Sequence, residues 1–401
     1  MDERGEIMRV AFFGHDASDA AIRRRIKSFH DDGMHVDGYM MRRGALADTA
    51  WRNHDLGMTK PGAFVHRAKS IVTGTRKALS FRAELAQADI MYARNLDMLA
   101  IAVRVKRKLK LDIPIVYECL DVHRLLCRTD LIGKTLRGLE RRLLRASSAL
   151  VVSSPAFLTH HFERHYKGAY EPVLIENRLT DSFTGGARPD ATQVAQSPTE
   201  AGPLRLGWVG ILRCQRSLNL LCETARRLGS KVEIRIHGIV AENEVPNFET
   251  QIEAYDNIRF FGRYRAPEDL DQIYRDLDLV WSGDFMEAGF NSVWLLPNRI
   301  YEGGFFATPS ISPTGTQTAQ WVRDHNCGFT LSEPLESELP ALMEGLTTAP
   351  AQIDDYRRQL AQLPIDVFVQ PAGLMRTTLE RVVHAYRNPQ KNTAHSALKA
   401  V

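Results

Sequence analysis

Apolar positions along this 401-residue chain fall into short runs rich in Val, Ile, Leu and Phe, separated by longer stretches in which they return every three or four residues. Short continuous runs suit strands buried on both faces, and the longer stretches suit helices laid over them, so the alternation predicts parallel sheets wound with helices. Strands are predicted in the first half at MRVAFFG, ADIMYA, IPIVYEC, SALVVSS and PVLIEN. The second half offers LRLGWVG, VEIRIHG, NIRFFG, DLVWS, PSIS and GFTL. After the first strand, DAAIRRRIKSFHDDG carries Ile22, Ile26 and Phe29 at helical spacing and stops at Gly33. Ser154 before Pro155 is an N-cap followed by a first helical residue. Late in the chain, AGLMRTTLERVVHAYR places Leu374, Leu379, Val382 and Val383 on one helical stripe.

The alternation breaks over 181–203, DSFTGGARPDATQVAQSPTEAGP, where Gly, Pro, Ser and Thr replace the periodic apolar residues. That composition predicts a linker. The expected organisation is α/β: a Rossmann-like domain over 1–180, the linker, and a second such domain over 204–365. A helix over 366–387 crosses back to the first domain, and a disordered tail covers 388–401. The length suits two cores of ordinary size. Two doubly wound domains facing a cleft offer one ligand site each, because ligands of open parallel sheets bind outside the carboxyl ends of the strands.

Composition removes some function classes. MDERGEIMRVAFFG passes from a charged arm straight into a strand without a signal peptide's apolar run, and no stretch approaches the roughly 18 apolar residues of a spanning helix. A cytoplasmic protein is expected. Cys119, Cys127, Cys214, Cys222 and Cys327 are scattered, odd in number and without C-x-x-C, as reduced structural thiols are. The net charge of +4 divides into about +10 up to residue 180 and about −6 beyond it. The front half therefore suits an anionic partner.

No G-x-G-x-x-G follows a strand and no P-loop motif occurs, so any phosphate recognition is of another kind. NRIYEGGFFATPSIS, 298–312, suggests which. A helix start offers free N–H groups and a partial positive charge to a diphosphate, and Asn298 with Arg299 would add an amide and a full charge. One turn on, Glu302 could accept from the vicinal hydroxyls of a ribose, and Gly303 with Gly304 would let backbone come close. An ordinary helix start, with Arg299 solvated, accounts for the same pattern.

In context, the segment resembles the nucleotide-sugar-binding core of glycosyltransferases with the two-domain GT-B fold, family 4-like, especially bacterial exopolysaccharide enzymes of the succinoglycan type. WVGILRCQRSLNLL, NIRFFGRYRAPEDLDQIYRDLDLVW, PNRIYEGGFFATPSIS and YECLDVHR carry the resemblance. It implies that Gly210 lies in a turn near the donor, that Arg213 and Arg216 face the diphosphate, and that Arg263 and Tyr264 border the nucleobase. It further implies that Asn298 and Arg299 sit beside the phosphates, with Tyr301 next to Glu302, the ribose-binding acid. Trp294 stands where many relatives carry a first acid, for which Glu287 in DFMEAGF could substitute. Leu120 replaces a His before Asp121 in YECLDVHR, leaving Asp121 and His123 as the polar candidates there.

An inverting transfer needs a carboxylate to take the acceptor hydroxyl's proton, and the candidates are Asp121 and Asp16, with Glu287 a further acid; a retaining one needs no such base. The resemblance implies a hexosyltransferase moving a sugar from UDP-glucose or another UDP-sugar to a polyprenyl-diphosphate-linked oligosaccharide at the inner membrane face, with no metal and no other cofactor. A nucleotide-sugar epimerase of the same fold and a non-catalytic nucleotide-sugar-binding module are the alternatives.

Other patterns carry less. Asp276 and Asp278 form a D-x-D across a helix end and a strand start, where acids are solvated or cap. His161 and His165 lack the acid placement of H-E-x-x-H. RVKRKLKL, 104–111, and GKTLRGLERRLLRAS, 133–147, mix Lys and Arg with Leu at helical spacing, which suits either an anionic membrane surface or a solvated helix face. No aromatic interleaving supports nucleic acid.

Overall fold

The computed structural model describes residues 7–59, 64–180, 182, 186–196, 202–287 and 289–389. The chain divides into two compact units, one joining the residues up to Glu176 with those from Pro371 onward, the other spanning Asn177–Gln370.

Unit 1 is built on β1 (Arg9–Gly14), β2 (His35–Arg42), β3 (Arg52–Met58), β4 (Ile90–Arg94), β5 (Ile115–Cys119), β6 (Ala149–Val152) and β7 (Pro172–Leu174). All are parallel, in the order β3-β2-β1-β4-β5-β6-β7. The order reverses direction between β1 and β4. Asp19 caps the helix Ala20–Asp31, accepting from Ala21 N and Ile22 N, and this helix presents Ile22, Ile26 and Phe29 to the sheet. The helix Leu374–Arg387 completes the same core with Met375, Leu379, Val382 and Val383. Its start is fixed by Asp32, whose carboxylate accepts from Gly373 N, Met375 N and Arg376 N at 2.7, 2.8 and 3.2 Å.

Unit 2 carries β8 (Leu204–Leu212), β9 (Val232–Val240), β10 (Ile258–Gly262), β11 (Leu279–Trp281), β12 (Ser310–Pro313) and β13 (Gly328–Leu331). The order is β10-β9-β8-β11-β12-β13, again all parallel, with the reversal between β8 and β11. One face is covered by the helices Gln215–Leu228 and Leu335–Thr348, the other by Leu270–Arg275, Asn298–Phe305 and Ala351–Gln362.

Two expectations change. Unit 1 has β2 and β3, which the apolar pattern did not reveal. The segment 181–203 is not wholly a linker: it contains the helix Ala191–Gln196, and Arg188 donates to the carbonyls of Leu360 and Leu363 at 2.6 and 2.7 Å, tying this stretch into unit 2. Of the tail, 390–401 lies outside the described residues, as do 181, 183–185 and 197–201 of the linker. All five cysteines are free.

Candidate functional site

At the carboxyl edge of unit 2, β8 and β11 diverge where the strand order reverses, the position at which open α/β sheets receive ligands. Arg213, just past β8, donates from Nε to Oδ2 of Asp284, just past β11, at 2.9 Å. Asp284 is buried, and its Oδ1 accepts from Met286 N at 3.0 Å and Ser292 Oγ at 3.2 Å. Burial pushes the Asp284 carboxyl up. The charge of Arg213, the Met286 N–H and the charge of Arg299 outweigh it and hold the group below its ordinary value.

Arg299 is buried in the first turn of the helix Asn298–Phe305 and donates from Nη1 to Val209 O at 3.2 Å. Its pKa is lowered, chiefly because burial disfavours the charged form, with Asp284 opposing. A guanidinium stays charged even so. Arg213 and Arg299 thus share this edge with the carboxylates of Asp284 and Glu302, Tyr264 lies within electrostatic reach of Arg299, and the two guanidinium forks suit an anion's oxygens. Glu302, one turn on, is buried and its Oε2 accepts from Tyr274 Oη at 3.0 Å. Burial, then the Glu302 charge, drives the Tyr274 phenol well above its usual value, so Tyr274 stays a donor.

The structure gathers Gly210, Arg213, Tyr264, Arg299 and Glu302 around this edge and corrects other assignments. Gly210 lies inside β8 rather than in a turn, at φ 120° and paired with Gly238. Arg216 is held by Glu333 at 2.7 Å and Glu336 at 3.0 Å, over the ring of Phe285, so a diphosphate would have to displace two carboxylates to reach it. Tyr301 is fully buried and packs edge-on against Trp321; it is a core residue and not a donor contact. Gly304 is small because a Cβ there would meet Phe368 at 2.3 Å, so it serves packing and not ligand approach. Asn298 is exposed at the helix start, Arg263 is exposed after β10, and Glu287 lies in the Asp284 loop with its N–H on Ser292 Oγ.

Unit 1 has a matching arrangement where its own order reverses. His15, past β1, meets Asn95, past β4, with Nδ1 and Nδ2 3.1 Å apart, and its Nε2 lies 3.4 Å from Asp19 Oδ2. Asn95 holds φ 73° and ψ 156°, a conformation that non-glycine residues rarely adopt. Asp16 is buried, and its Oδ1 accepts from both Ser18 N and Ser18 Oγ, which closes the turn. Asp121 follows β5 with an exposed side chain. Beneath this edge Glu118 takes Arg25 at 2.8 Å and Arg94 at 2.7 Å, all three buried.

The D-x-D pair sits at the opposite edge of unit 2. Asp278 binds Arg205 at 2.9 Å, and Asp276 pairs with Arg205 and Arg235, so both acids are structural. His161 is buried against Glu140 at 2.9 Å. Among the described residues no group of three or more His, Cys, Asp or Glu side chains is placed to hold a metal ion.

Asp284, Tyr274 and His15 were not singled out from the sequence. Asp284 had a signal, standing three positions past a buried strand. Tyr274 had none, since its partner Glu302 is 28 residues away.

No family model matches the chain. Its sequence is 35% identical over 347 residues to the succinoglycan biosynthesis protein ExoL of Rhizobium meliloti (strain 1021), covering 85% of this chain and 85% of that protein. The fold is similar to that of sucrose-phosphate synthase from Thermosynechococcus elongatus, with a TM-score of 0.69, 15% identity and coverage of 94% and 99% of the two chains. HepE of Anabaena, crystallised with UDP and glucose, gives 0.67, 14%, 96% and 99%. WaaG, a glycosyltransferase involved in lipopolysaccharide biosynthesis, gives 0.60, 14%, 93% and 99%.

Proposed function

This chain belongs to the family of the succinoglycan biosynthesis protein ExoL and has the GT-B fold of glycosyltransferases, and from that premise we propose that it is a hexosyltransferase of exopolysaccharide assembly using a UDP-sugar donor. The observation that carries the reading is the Arg213–Asp284 bond across the reversal point of unit 2, with Arg299 beside it and Glu302 one turn away. Arg213 and Arg299 would meet the diphosphate, whose negative charge grows as the bond to the sugar breaks, and would stabilise it as fixed cations without a bound metal. Glu302, fixed by Tyr274, would accept from the ribose.

The acceptor in this account is a polyprenyl-diphosphate-linked oligosaccharide taken by unit 1. In an inverting transfer Asp121 removes the acceptor hydroxyl's proton as the oxygen attacks the anomeric carbon and the diphosphate leaves with the bonding electrons. Asp121 is preferred to Asp16 because its carboxylate is exposed, while Asp16 is engaged by Ser18.

The surface of unit 1 supports a peripheral place on an anionic membrane. Outward from the helix Leu131–Leu144 stand Leu131, Ile132 and Leu139, 79%, 51% and 45% exposed, interleaved with Lys134, Arg141 and Arg142. Exposed leucines among cations suit a bilayer interface better than open water. Among the described residues no helix is long and apolar enough to cross a membrane.

Donor transfer is tested with UDP-[14C]glucose and a lipid-linked acceptor fraction: transfer by the wild type, absent in Asp121→Asn with UDP affinity unchanged, is expected. Release of an epimerised free nucleotide sugar without acceptor would favour the isomerase reading. Sedimentation with vesicles containing anionic lipid at low salt tests the membrane part, which fails if the protein stays in the supernatant.

A further inference from the structure

Unit 2 contains a cavity at the amino edge of its sheet, away from the Arg213–Asp284 site. Arg275 ends the helix that leads into β11, and Phe306 and Thr308 lead from the helix Asn298–Phe305 into β12. Together with Arg188, Arg357 and Tyr274 they line a space of 340 Å³. None of these residues except Tyr274 enters the account of the donor site.

Three arginines line this space. Arg275 is met by Asp271 at 2.5 Å and Arg357 by Asp354 at 3.6 Å. Among the described residues no carboxylate meets Arg188: it donates from Nη2 to backbone carbonyls at the end of the helix Ala351–Gln362, and its Nε, shielded from solvent, has no hydrogen-bond partner among them. Burial alone pulls this guanidinium's pKa down. Three arginines therefore line a cavity in which Asp271 and Asp354 are the carboxylates that meet them among the described residues, beside an aromatic wall, for the Arg275 guanidinium lies 5.9 Å over Phe306 and the rings of Phe306 and Tyr274 stack at 6.1 Å and 11°.

The same wall reaches the donor site. Tyr274 lines the cavity, donates from Oη to Glu302 at 3.0 Å, and accepts at its carbonyl from Thr308 Oγ1 at 2.8 Å. Thr308 N in turn donates to Gly303 O at 2.8 Å, next to Glu302 in the chain. The helix bearing Glu302 is eight residues long, about 12 Å, with the donor-site arginine in its first turn and the cavity at its far end.

We propose that this cavity is an effector site for a small organic phosphate, and that its occupancy changes donor affinity through Tyr274 and Glu302. Guanidinium forks match phosphate oxygens, and Phe306, Val194 and Leu277 give the same cavity an apolar wall for a small organic group. An inorganic phosphate would leave most of the space unfilled, since one water's share of liquid volume is about 30 Å³. The coupling, though not the site, rests on the donor-site reading given above.

The test is calorimetric titration of the full chain with phenyl phosphate. Wild type and Glu302→Ala should bind it equally, and Gln193→Trp, which puts an indole into the cavity that Gln193 also lines, and Arg357→Ala should each bind at least tenfold more weakly. Saturating phenyl phosphate should change the Kd for UDP at least threefold in the wild type and leave it unchanged in Tyr274→Phe, with a reciprocal effect of UDP on phenyl phosphate. Absence of binding by the wild type, or equal binding by folded Gln193→Trp and Arg357→Ala, overturns the site. Binding that leaves UDP affinity unchanged overturns the coupling. If UDP itself fails to bind, the donor reading falls, and the titration without UDP still decides the cavity.

Discussion

Arg213 and Asp284 meet across the point where the strand order of unit 2 reverses, Nε 2.9 Å from Oδ2, so that two residues 71 positions apart close the carboxyl edge of the sheet. Asp284 takes only the Nε of Arg213; the two Nη groups make no hydrogen bond among the described residues. The arginine is thereby aimed and still has its fork to give. Arg213→Ala should raise the Kd for UDP about tenfold or more, the scale of a lost charge-assisted hydrogen bond. Asp284→Asn should raise it less, since the amide oxygen can still accept from Arg213. Titration of both variants with UDP and with pyrophosphate checks the order.

Tyr274→Phe removes one hydroxyl from a buried carboxylate. Glu302 loses a hydrogen bond that cannot be replaced by bulk water, which should cost about 1.5–3 kcal/mol of folding stability in urea denaturation. If Glu302 holds the ribose, affinity for UDP should fall while affinity for pyrophosphate is kept. Equal loss for both ligands would show that the tyrosine supports the whole edge and not the ribose position.

Gly238 is constrained by its neighbour on β8. Its φ is 151°, and a Cβ there would stand 1.7 Å from Gly210 O. Gly238→Ala must therefore separate β8 from β9 next to Arg213, and a loss of more than about 2 kcal/mol is expected, with weakened UDP binding. Gly210→Ala meets no atom within 4 Å and carries only the strain of φ 120°, so it should cost less. Urea melts of the two variants give the comparison.

Asp19 links helix capping to pH. Burial pushes its carboxyl up, but the hydrogen bond and charge of His15, the Ile22 N–H and the charge of Arg94 bring it from 3.8 to about 2. A folded value below the unfolded one stabilises the fold at pH above about 4, and the contribution is lost as pH falls from 3.8 toward 2. With a third of the side chain exposed, the effect at neutral pH is about 1 kcal/mol. Asp19→Ala should be less stable by that amount at pH 7, and the two proteins should converge near pH 2.

How much of this was written in the chain depended on burial. All six strands of unit 2 were legible because their inward positions are apolar runs, as in β8, where Leu204, Leu206, Trp208 and Leu212 all enter the core. β3 was not: RNHDLGM is an edge strand that buries only His54 and Leu56, and its neighbour β2 is broken by Asp37 and Gly38. In the site, Glu302 and Arg299 were legible because they are local to one helix start. Tyr301, beside them in the sequence, points into the core, a difference of one position that helical geometry decides and the spacing of a motif does not. Asp284 and Tyr274 act through partners 71 and 28 residues away, which no local pattern encodes.

The central claim is a donor site at the carboxyl edge of unit 2, and thermal unfolding of the purified chain with UDP tests it most directly, since a ligand that binds only the folded state raises the melting temperature. A rise with UDP and UDP-glucose that is lost in Arg213→Ala and in Glu302→Ala is the predicted result. No rise with either nucleotide, or a rise that both variants retain in full, would contradict it.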